Sequence, residues 1–257
     1  MAMGLAALPD CDSLLFTTDA DSSPRPDWIT TGVAALQVAD VVAGRIIRLN
    51  SCADPEQSRL EGYYDRLYRY RRLIDPVPWE ACTTHHFTGG ANLAFRTSTY
   101  RTLGGFKTLP SGEDAAMLDH ASRSGFRVRR DGALVVETSS RRHGRAVQGL
   151  ASTLRALDRG ALPLVAHPCS AAWQWHEQAA ARQAFAKVGQ RDVRTRLGER
   201  WRLSGDHVLG VARDCPNAEA FAMRIVPAPT KYADPVTLPA AEEVLASLEA
   251  DWCEVAA

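Results

Sequence analysis

Acidic side chains follow an early apolar run of the sequence, and their spacing suits a divalent metal ion. Residues 14–18 form a short β-prone run that stops at a turn carrying Asp19 and Asp21. Two carboxylates at the end of a strand can bind one Mg²⁺ or Mn²⁺ ion while diphosphate oxygens complete its shell. A solvent-exposed acidic turn explains the same residues. The place after a strand favours the metal site, because α/β sheets bind ligands at the carboxyl ends of strands.

A second pair of carboxylates, Glu113 and Asp114, follows Gly112 where a helix is predicted to begin. Capping and the helix dipole favour acidic residues at this position, which is a structural explanation for the pair. A general base needs the same placement, on a rigid element that faces a cleft. The sequence leaves both roles open.

A basic segment, residues 139–145, contains Arg141, Arg142, His143 and Arg145. Arginine forks match the geometry of phosphate groups, and a neutral imidazole can ligate a metal ion. A solvated basic turn is the alternative interpretation, especially for Arg142.

A glycine-bearing loop supplies the fourth candidate element. Gly89 and Gly90 permit close approach of a ligand to the backbone, and Asn92 could hydrogen-bond a hydroxylated substrate. A simple turn explains the two glycines equally well. The preceding His85-His86 pair lacks a third ligand at metal spacing, so we expect no metal site there.

Composition excludes several classes of protein. The 257 residues include 30 basic and 30 acidic side chains, so no global charge favours nucleic acid or an anionic membrane as a partner. The six cysteines are too widely spaced for a zinc ribbon, and free cytosolic thiols are expected. No apolar run is long enough for a transmembrane helix, and the start lacks the features of a signal peptide. A cytoplasmic location is therefore predicted.

Hydrophobic periodicity predicts the elements that carry these residues. Asp27 caps a predicted helix whose buried face is Trp28, Ile29, Val33 and Leu36, and residues 39–49 form a strand with a bulge at Gly44. The remaining predicted elements are a helix over 56–74, a helical turn over 97–103, a helix from Gly112 to Gly125, a hairpin of strands 126–129 and 133–138 around Asp131-Gly132, and helices over 147–157, 171–188 and 240–252.

The order of these motifs resembles the family 2 glycosyltransferases of the GT-A fold. The resemblance spans about residues 14–150 and rests on the acidic strand end, Gly-Gly-Ala-Asn-Leu-Ala-Phe-Arg, the later Gly-Gly-Phe, Gly-Glu-Asp and Ser-x-Arg-x-x-Gly-Arg. It implies an α/β fold with a mixed, mainly parallel sheet flanked by helices. It also implies a catalytic domain over residues 1–160 and a mostly helical C-terminal extension over residues 161–257.

The resemblance implies a role for each candidate residue. Asp19 and Asp21 match the metal-binding DxD motif, and His143 stands where some relatives place a further ligand. Asp114 matches the catalytic acid/base, with Glu113 beside it. The residues implied to lie near the substrates are Gly89, Gly90, Asn92, Arg141 and Arg145.

The implied activity is transfer of a hexose from a UDP- or GDP-linked donor to a hydroxyl acceptor, with Mg²⁺ or Mn²⁺ as cofactor. The donor sugar, the acceptor and the stereochemical course stay open, as does assembly into a homo-oligomer. One feature departs from the family. The pocket for the nucleotide is built from βα units ahead of the DxD strand, and only about a dozen residues precede that strand here, so an N-terminally incomplete domain with an exposed sheet edge is expected.

Two alternatives remain. A degenerate glycosyltransferase-like module would bind a partner without catalysis. A phosphatase of the haloacid-dehalogenase type also begins with a strand ending in Asp-x-Asp, but it needs a downstream lysine and a further acidic pair at a strand end. Lys107 is the only lysine before Lys187, and Glu113-Asp114 opens a predicted helix instead.

Overall fold

The computed structural model describes residues 13–49, 54–143 and 150–256, which have the mixed α/β character that the sequence predicts. Five strands form the larger sheet in the order β1-β4-β3-β5-β2. Their bounds are Leu14–Thr17 for β1, Ser22–Pro24 for β2, Val41–Arg48 for β3, Leu93–Arg96 for β4 and Val128–Thr138 for β5. The helices among them are Trp28–Ala35 (α1), Pro55–Ile74 (α2), Thr97–Thr102 (α3) and Glu113–Arg123 (α4).

The described sheet is mixed, and the expectation of a mainly parallel sheet is wrong. Only β3 and β5 pair in parallel, whereas β1 with β4, β3 with β4, and β2 with β5 pair antiparallel. The reason lies between β3 and β4. The helix α2 and the long loop after it return the chain to the end of the sheet where β3 stops, so β4 runs against β3.

Both faces of the sheet are covered, which explains the continuous apolar run of β3. Val41 and Ala43 face one side with helix α4, while Val42 faces the other side with helix α1. The first side also buries Leu93, Phe95, Tyr100, Leu103, Met117, Leu118 and Ala121. This packing positions the C-terminal end of β1 and the N-terminal end of α4, next to which the candidate acidic residues lie.

The strand β5 replaces the predicted hairpin around Asp131-Gly132. Both halves of β5 pair with β3, and the register jumps between Gly44 and Arg45, where the partner changes from Asp131 to Val135. The pairing is interrupted beside Gly44 as predicted, but the extra residues, 132–134, belong to β5 and not to β3, and the predicted hairpin is wrong.

Hydrogen bonds explain why the Asp131 region is a bulge inside one strand. Asp131 is buried, accepts from Arg129 Nε at 2.8 Å and accepts from the Ala133 N–H at 3.0 Å. The Gly132 N–H donates to the Thr83 carbonyl at 3.0 Å. Polar groups that would face water in a hairpin turn are thus satisfied within the fold.

The helix α1 turns a different face to the sheet than its periodicity predicts. Trp28 and Leu36 are buried as expected, but Ile29 and Val33 are 51% and 37% exposed. A Cβ atom on Gly32 would stand 2.3 Å from an aromatic ring of β1. The small residue lets the helix approach closely along that line and turns the two aliphatic side chains outwards.

The second half of the described chain is helical, as expected. It comprises Leu150–Asp158 (α5), Pro168–Ala184 (α6), Arg191–Trp201 (α7), Gly205–Arg213 (α8), Ala218–Ile225 (α9) and Leu238–Ala256 (α10), with a small antiparallel sheet of Leu164–Val165 (β6) and Val236–Thr237 (β7). The predictions for α5, α6 and α10 are confirmed, whereas the sequence analysis missed α7 to α9.

Helices α6 and α10 pack on α2, which joins the helical half to the sheet. Their shared core contains Tyr63 and Leu67 from α2, together with Val165, Leu238 and Leu245. Helices α7, α8 and α9 enclose a separate core with the end of α6. Across the described ranges, none of the helices has the length and apolar character needed to cross a membrane.

Candidate active site

The acidic turn after β1 is tied to the glycine-bearing loop. The Ser22 N–H donates to the Asp19 carbonyl at 3.1 Å and closes the turn that carries Asp19 and Asp21. At the end of β1, Thr17 Oγ1 donates to the Gly90 carbonyl at 2.6 Å. The two candidate elements, distant in sequence, therefore meet at the end of β1.

Asp114 reaches the same loop from helix α4. Its carboxylate lies against the Gly90 backbone, whose N–H lowers the pKa of Asp114. A Cβ atom on Gly90 would stand 2.7 Å from Asp114 Oδ1, closer than real Cβ contacts. By lacking a side chain, Gly90 thus leaves the room that Asp114 occupies.

Four carboxylates, Asp19, Asp21, Glu113 and Asp114, form what we call the acidic cluster. Asp19 is exposed, but partial desolvation of its carboxylate raises its pKa, and the charges of Asp21 and Glu113 raise it further. Burial also raises the pKa of Asp114, with added repulsion from Glu113 and Asp19, against which the Gly90 N–H lowers it. The acidic cluster therefore holds a proton on Asp114 more tightly than an isolated aspartate would.

Arg141 is brought to the acidic cluster. Its Nη2 lies 3.0 Å from Asp21 Oδ2, and the two side chains are 56% and 26% exposed. Its charge lowers the pKa of Asp19 against the effects of burial and the neighbouring carboxylates. The guanidinium group of Arg141 therefore lies beside Asp21, at the position where the sequence analysis predicts a metal ion and phosphate oxygens.

The neighbouring Arg142 points elsewhere. It binds Asp158 through two contacts of 3.0 Å and also pairs with the buried Asp54. Arg48 completes this group at 3.2 Å from Asp54. Arg142 therefore anchors the segment to the fold, which agrees with a structural interpretation of this arginine.

Asn92 is enclosed in the core of the sheet. Its Oδ1 accepts from Trp28 Nε1 at 2.8 Å, and its Nδ2 donates to the Arg45 and Leu134 carbonyls, each at 2.8 Å. The side chain is fully buried, and Gly44 leaves room for it, because a Cβ there would stand 2.3 Å from Asn92 Nδ2. Asn92 therefore links the glycine-bearing loop to helix α1 and to strands β3 and β5. A direct contact of its side chain with substrate would require these hydrogen bonds to break.

Three predicted site residues remain: Gly89, His143 and Arg145. Gly89 lies in the loop beside Gly90, and a Cβ on it would meet only the end of Ile46 at 3.2 Å. His143 is exposed, and within the described ranges no three His, Cys, Asp or Glu side chains are grouped closely enough to hold a metal ion. Arg145 lies outside the described residues.

Sequence reasoning missed a polar group beside the same loop. Asp65 in helix α2 accepts from His86 Nδ1 at 2.8 Å and from Arg45 Nη2 at 2.9 Å. Burial raises the pKa of Asp65, but the hydrogen bond and charge of His86 and the charge of Arg45 outweigh it and hold the pKa below its usual value. An aspartate on the buried side of an amphipathic helix was the signal in the sequence.

His85, the neighbour of His86, has a separate structural role. It is fully buried, its Nε2 lies 3.0 Å from the Ala43 carbonyl, and its Nδ1 accepts from the Phe87 N–H at 3.1 Å. Burial, aided by the charge of Arg130, lowers the pKa of His85 to about 3, so the ring is neutral at physiological pH. The two adjacent histidines therefore point to different partners.

Comparisons of the chain with protein-family models and with curated proteins give no match. The function is therefore inferred from the residues of the acidic cluster and from the chemistry that they can perform.

Proposed function

We propose that this protein is a glycosyltransferase that moves a hexose from a UDP- or GDP-linked donor to a hydroxyl acceptor. The observation that carries the proposal is that Asp19 and Asp114, 95 residues apart in the sequence, lie close enough for the charge of Asp19 to raise the pKa of Asp114. Sugar transfer needs two kinds of group close together. One stabilises the negative charge of the leaving diphosphate, and the other takes a proton from the acceptor.

The donor set fits a hard divalent cation. Asp19 and Asp21 offer carboxylate oxygens, the ligands that Mg²⁺ and Mn²⁺ prefer. The guanidinium of Arg141 at 3.0 Å from Asp21 shows that the turn accommodates a positive charge. Asp19 and Asp21 would hold the ion, with water and diphosphate oxygens as the other ligands. When bound, such an ion neutralises the charge that develops on the diphosphate.

Asp114 is the proposed base. Its raised pKa makes it a better proton acceptor than an isolated aspartate. If the reaction inverts the sugar, Asp114 takes the proton of the attacking hydroxyl. If it retains the configuration, Asp114 or Glu113 orients the acceptor instead.

The test separates donor binding from transfer. We would measure release of UDP or GDP from a panel of UDP- and GDP-hexoses, with water as the acceptor and Mn²⁺ present, for the wild type and for Asp114→Asn. The proposal expects Asp114→Asn to bind nucleotide normally and to lose release of the diphosphate by about 10² or more, since a base acts mainly in the transition state.

Asp119→Asn is the matched control. Asp119 lies on the same helix as Asp114, but it is exposed and pairs with Arg123 at 2.7 Å. It should leave release unchanged. If Asp114→Asn kept the wild-type rate, Asp114 would not be the base, and if the wild type released no diphosphate from any donor, transferase activity of this chain would be contradicted.

A further inference from the structure

The contact between Arg141 and Asp21 is a solvent-exposed ion pair. Arg141 Nη2 lies 3.0 Å from Asp21 Oδ2, and more than half of the arginine side chain is exposed. A solvent-exposed ion pair of this kind contributes little to stability, so breaking it costs little. The Arg141 side chain can therefore change partners without disturbing the fold.

The backbone around Arg141, by contrast, is fixed. The Arg141 N–H donates to Ser139 Oγ at 3.2 Å, and the Ser140 hydroxyl donates to the Leu49 carbonyl. Directly after it, Arg142 is held by Asp54 and Asp158. Because the backbone of Arg141 is anchored, its guanidinium can leave Asp21 and still remain within one side-chain length of the acidic cluster.

A divalent cation that binds Asp21 must compete with this guanidinium for the same carboxylate. A diphosphate that arrives with the cation offers the displaced guanidinium a better partner, since arginine forks bind phosphate oxygens through paired, charge-assisted hydrogen bonds. The Asp21 carboxylate and a bound diphosphate would therefore compete for one side chain.

We infer that Arg141 exchanges partners during donor binding: it pairs with Asp21 before the donor binds and with the donor diphosphate once a metal ion takes the carboxylates. This inference rests on the proposed function. Its consequence is that Arg141 opposes binding of the metal ion alone and favours binding of the metal together with nucleotide. The protein would thus load the metal with the donor rather than before it.

Calorimetry with two titrations tests the exchange, because removal of Arg141 should strengthen binding of the metal ion alone and weaken binding of the nucleotide. Mn²⁺ alone, and then UDP or GDP in the presence of saturating Mn²⁺, would be titrated into the wild type, Arg141→Ala and Arg141→Lys. We expect Arg141→Ala to bind Mn²⁺ alone about 3-fold more tightly, the scale of losing one exposed ion pair. The same variant should bind the nucleotide about 10-fold more weakly, the scale of losing a charge-assisted hydrogen bond.

Two further variants, Arg141→Lys and Arg25→Ala, separate the effect of the arginine fork from the effect of its charge. Arg141→Lys keeps the charge without the fork, so it should bind Mn²⁺ alone like the wild type and bind nucleotide less tightly than the wild type. Arg25→Ala is the matched control, since Arg25 is also an exposed arginine at the edge of the sheet but pairs with Glu137 at 3.6 Å. It should change neither titration.

The outcomes separate this inference from the proposed function. If the wild type binds nucleotide in a metal-dependent way but Arg141→Ala shifts both titrations in the same direction, or neither, partner exchange is overturned and the proposed function stands. If the wild type binds neither nucleotide at any Mn²⁺ concentration, both are overturned. Thermal unfolding of Arg141→Ala and of a second variant, Arg141→Gln, would check that the fold is intact, and either variant suffices for the test.

Discussion

Asp114 packs directly on Gly90, since a Cβ atom at position 90 would stand 2.7 Å from Asp114 Oδ1. The carboxylate therefore lies in a space that exists because residue 90 has no side chain. The same glycine accepts from Thr17 Oγ1 at 2.6 Å through its carbonyl. One residue thus joins the end of β1, which carries the acidic turn, to the start of helix α4.

Gly90→Ala should displace Asp114. The added methyl group would collide with the carboxylate, so we expect the melting temperature to fall by several degrees, the scale for a loss of about 1–3 kcal/mol through overpacking. Gly89→Ala is the control, because its Cβ would meet only the flexible end of Ile46 at 3.2 Å. Thermal unfolding followed by circular dichroism measures both. Equal melting temperatures for the two variants would contradict the close contact.

Asp114→Asn should stabilise the protein at neutral pH. Because the pKa of Asp114 is raised in the folded state, its contribution to stability is fully present below the ordinary aspartate pKa and is lost as the pH rises through the raised value. Asparagine removes the charge and keeps an oxygen beside Gly90. We expect the melting temperature to rise by about 1–3 °C at pH 7–8, and the gain to vanish near pH 4.

The pH dependence is the diagnostic part of that experiment. Asp119→Asn, on the exposed side of the same helix, should show no gain at either pH. A gain for Asp114→Asn that stayed constant between pH 4 and pH 8 would mean that charge repulsion within the acidic cluster is not its cause.

Asp65→Asn should show the opposite dependence on pH. The pKa of Asp65 is lowered by His86 and Arg45 against the effect of burial, so its contribution is present above the ordinary aspartate pKa and is lost as the pH falls through the lowered value. We expect a loss of about 2 kcal/mol at pH 7, the scale of a hydrogen bond to a charged group. Urea unfolding at pH 7 and pH 3 measures it, and a loss that failed to shrink at pH 3 would contradict the assignment.

Asn92→Ala should act on the fold. It would leave Trp28 Nε1 and the carbonyls of Arg45 and Leu134 without their partner. We expect the free energy of unfolding to fall by about 3 kcal/mol, since buried polar groups lose their hydrogen bonds. Urea denaturation measures the change. A loss below about 1 kcal/mol, with weakened nucleotide binding, would instead favour contact of Asn92 with substrate.

The sequence predicted the elements whose signals are local. The strand before Asp19 and the helix after Gly112 follow from an apolar run and from an acidic helix start, and the structure contains both. Glycine within a strand also predicted an interruption at Gly44, but the extra residues lie in the paired strand β5.

Roles that depend on distant partners could not be predicted. Asn92 looks like a substrate ligand in its glycine-rich loop, but its partners Trp28 and Leu134 are 64 and 42 residues away. Asp131 looks like a turn residue until Arg129 and the Ala133 N–H surround it within a strand. In both cases tertiary hydrogen bonds decide the role of a residue whose local pattern favours another one.

We propose that the carboxylates of Asp19 and Asp21, after β1, bind a nucleoside diphosphate through a metal ion. Calorimetric titration of UDP and of GDP, with and without Mn²⁺, tests it most directly in the wild type, in Asp21→Ala and in Asp27→Ala, whose exposed carboxylate makes no capping hydrogen bond. We predict binding that requires Mn²⁺, is abolished by Asp21→Ala and is unchanged in Asp27→Ala. Equal affinity with and without Mn²⁺, or binding that survives Asp21→Ala, would contradict the claim.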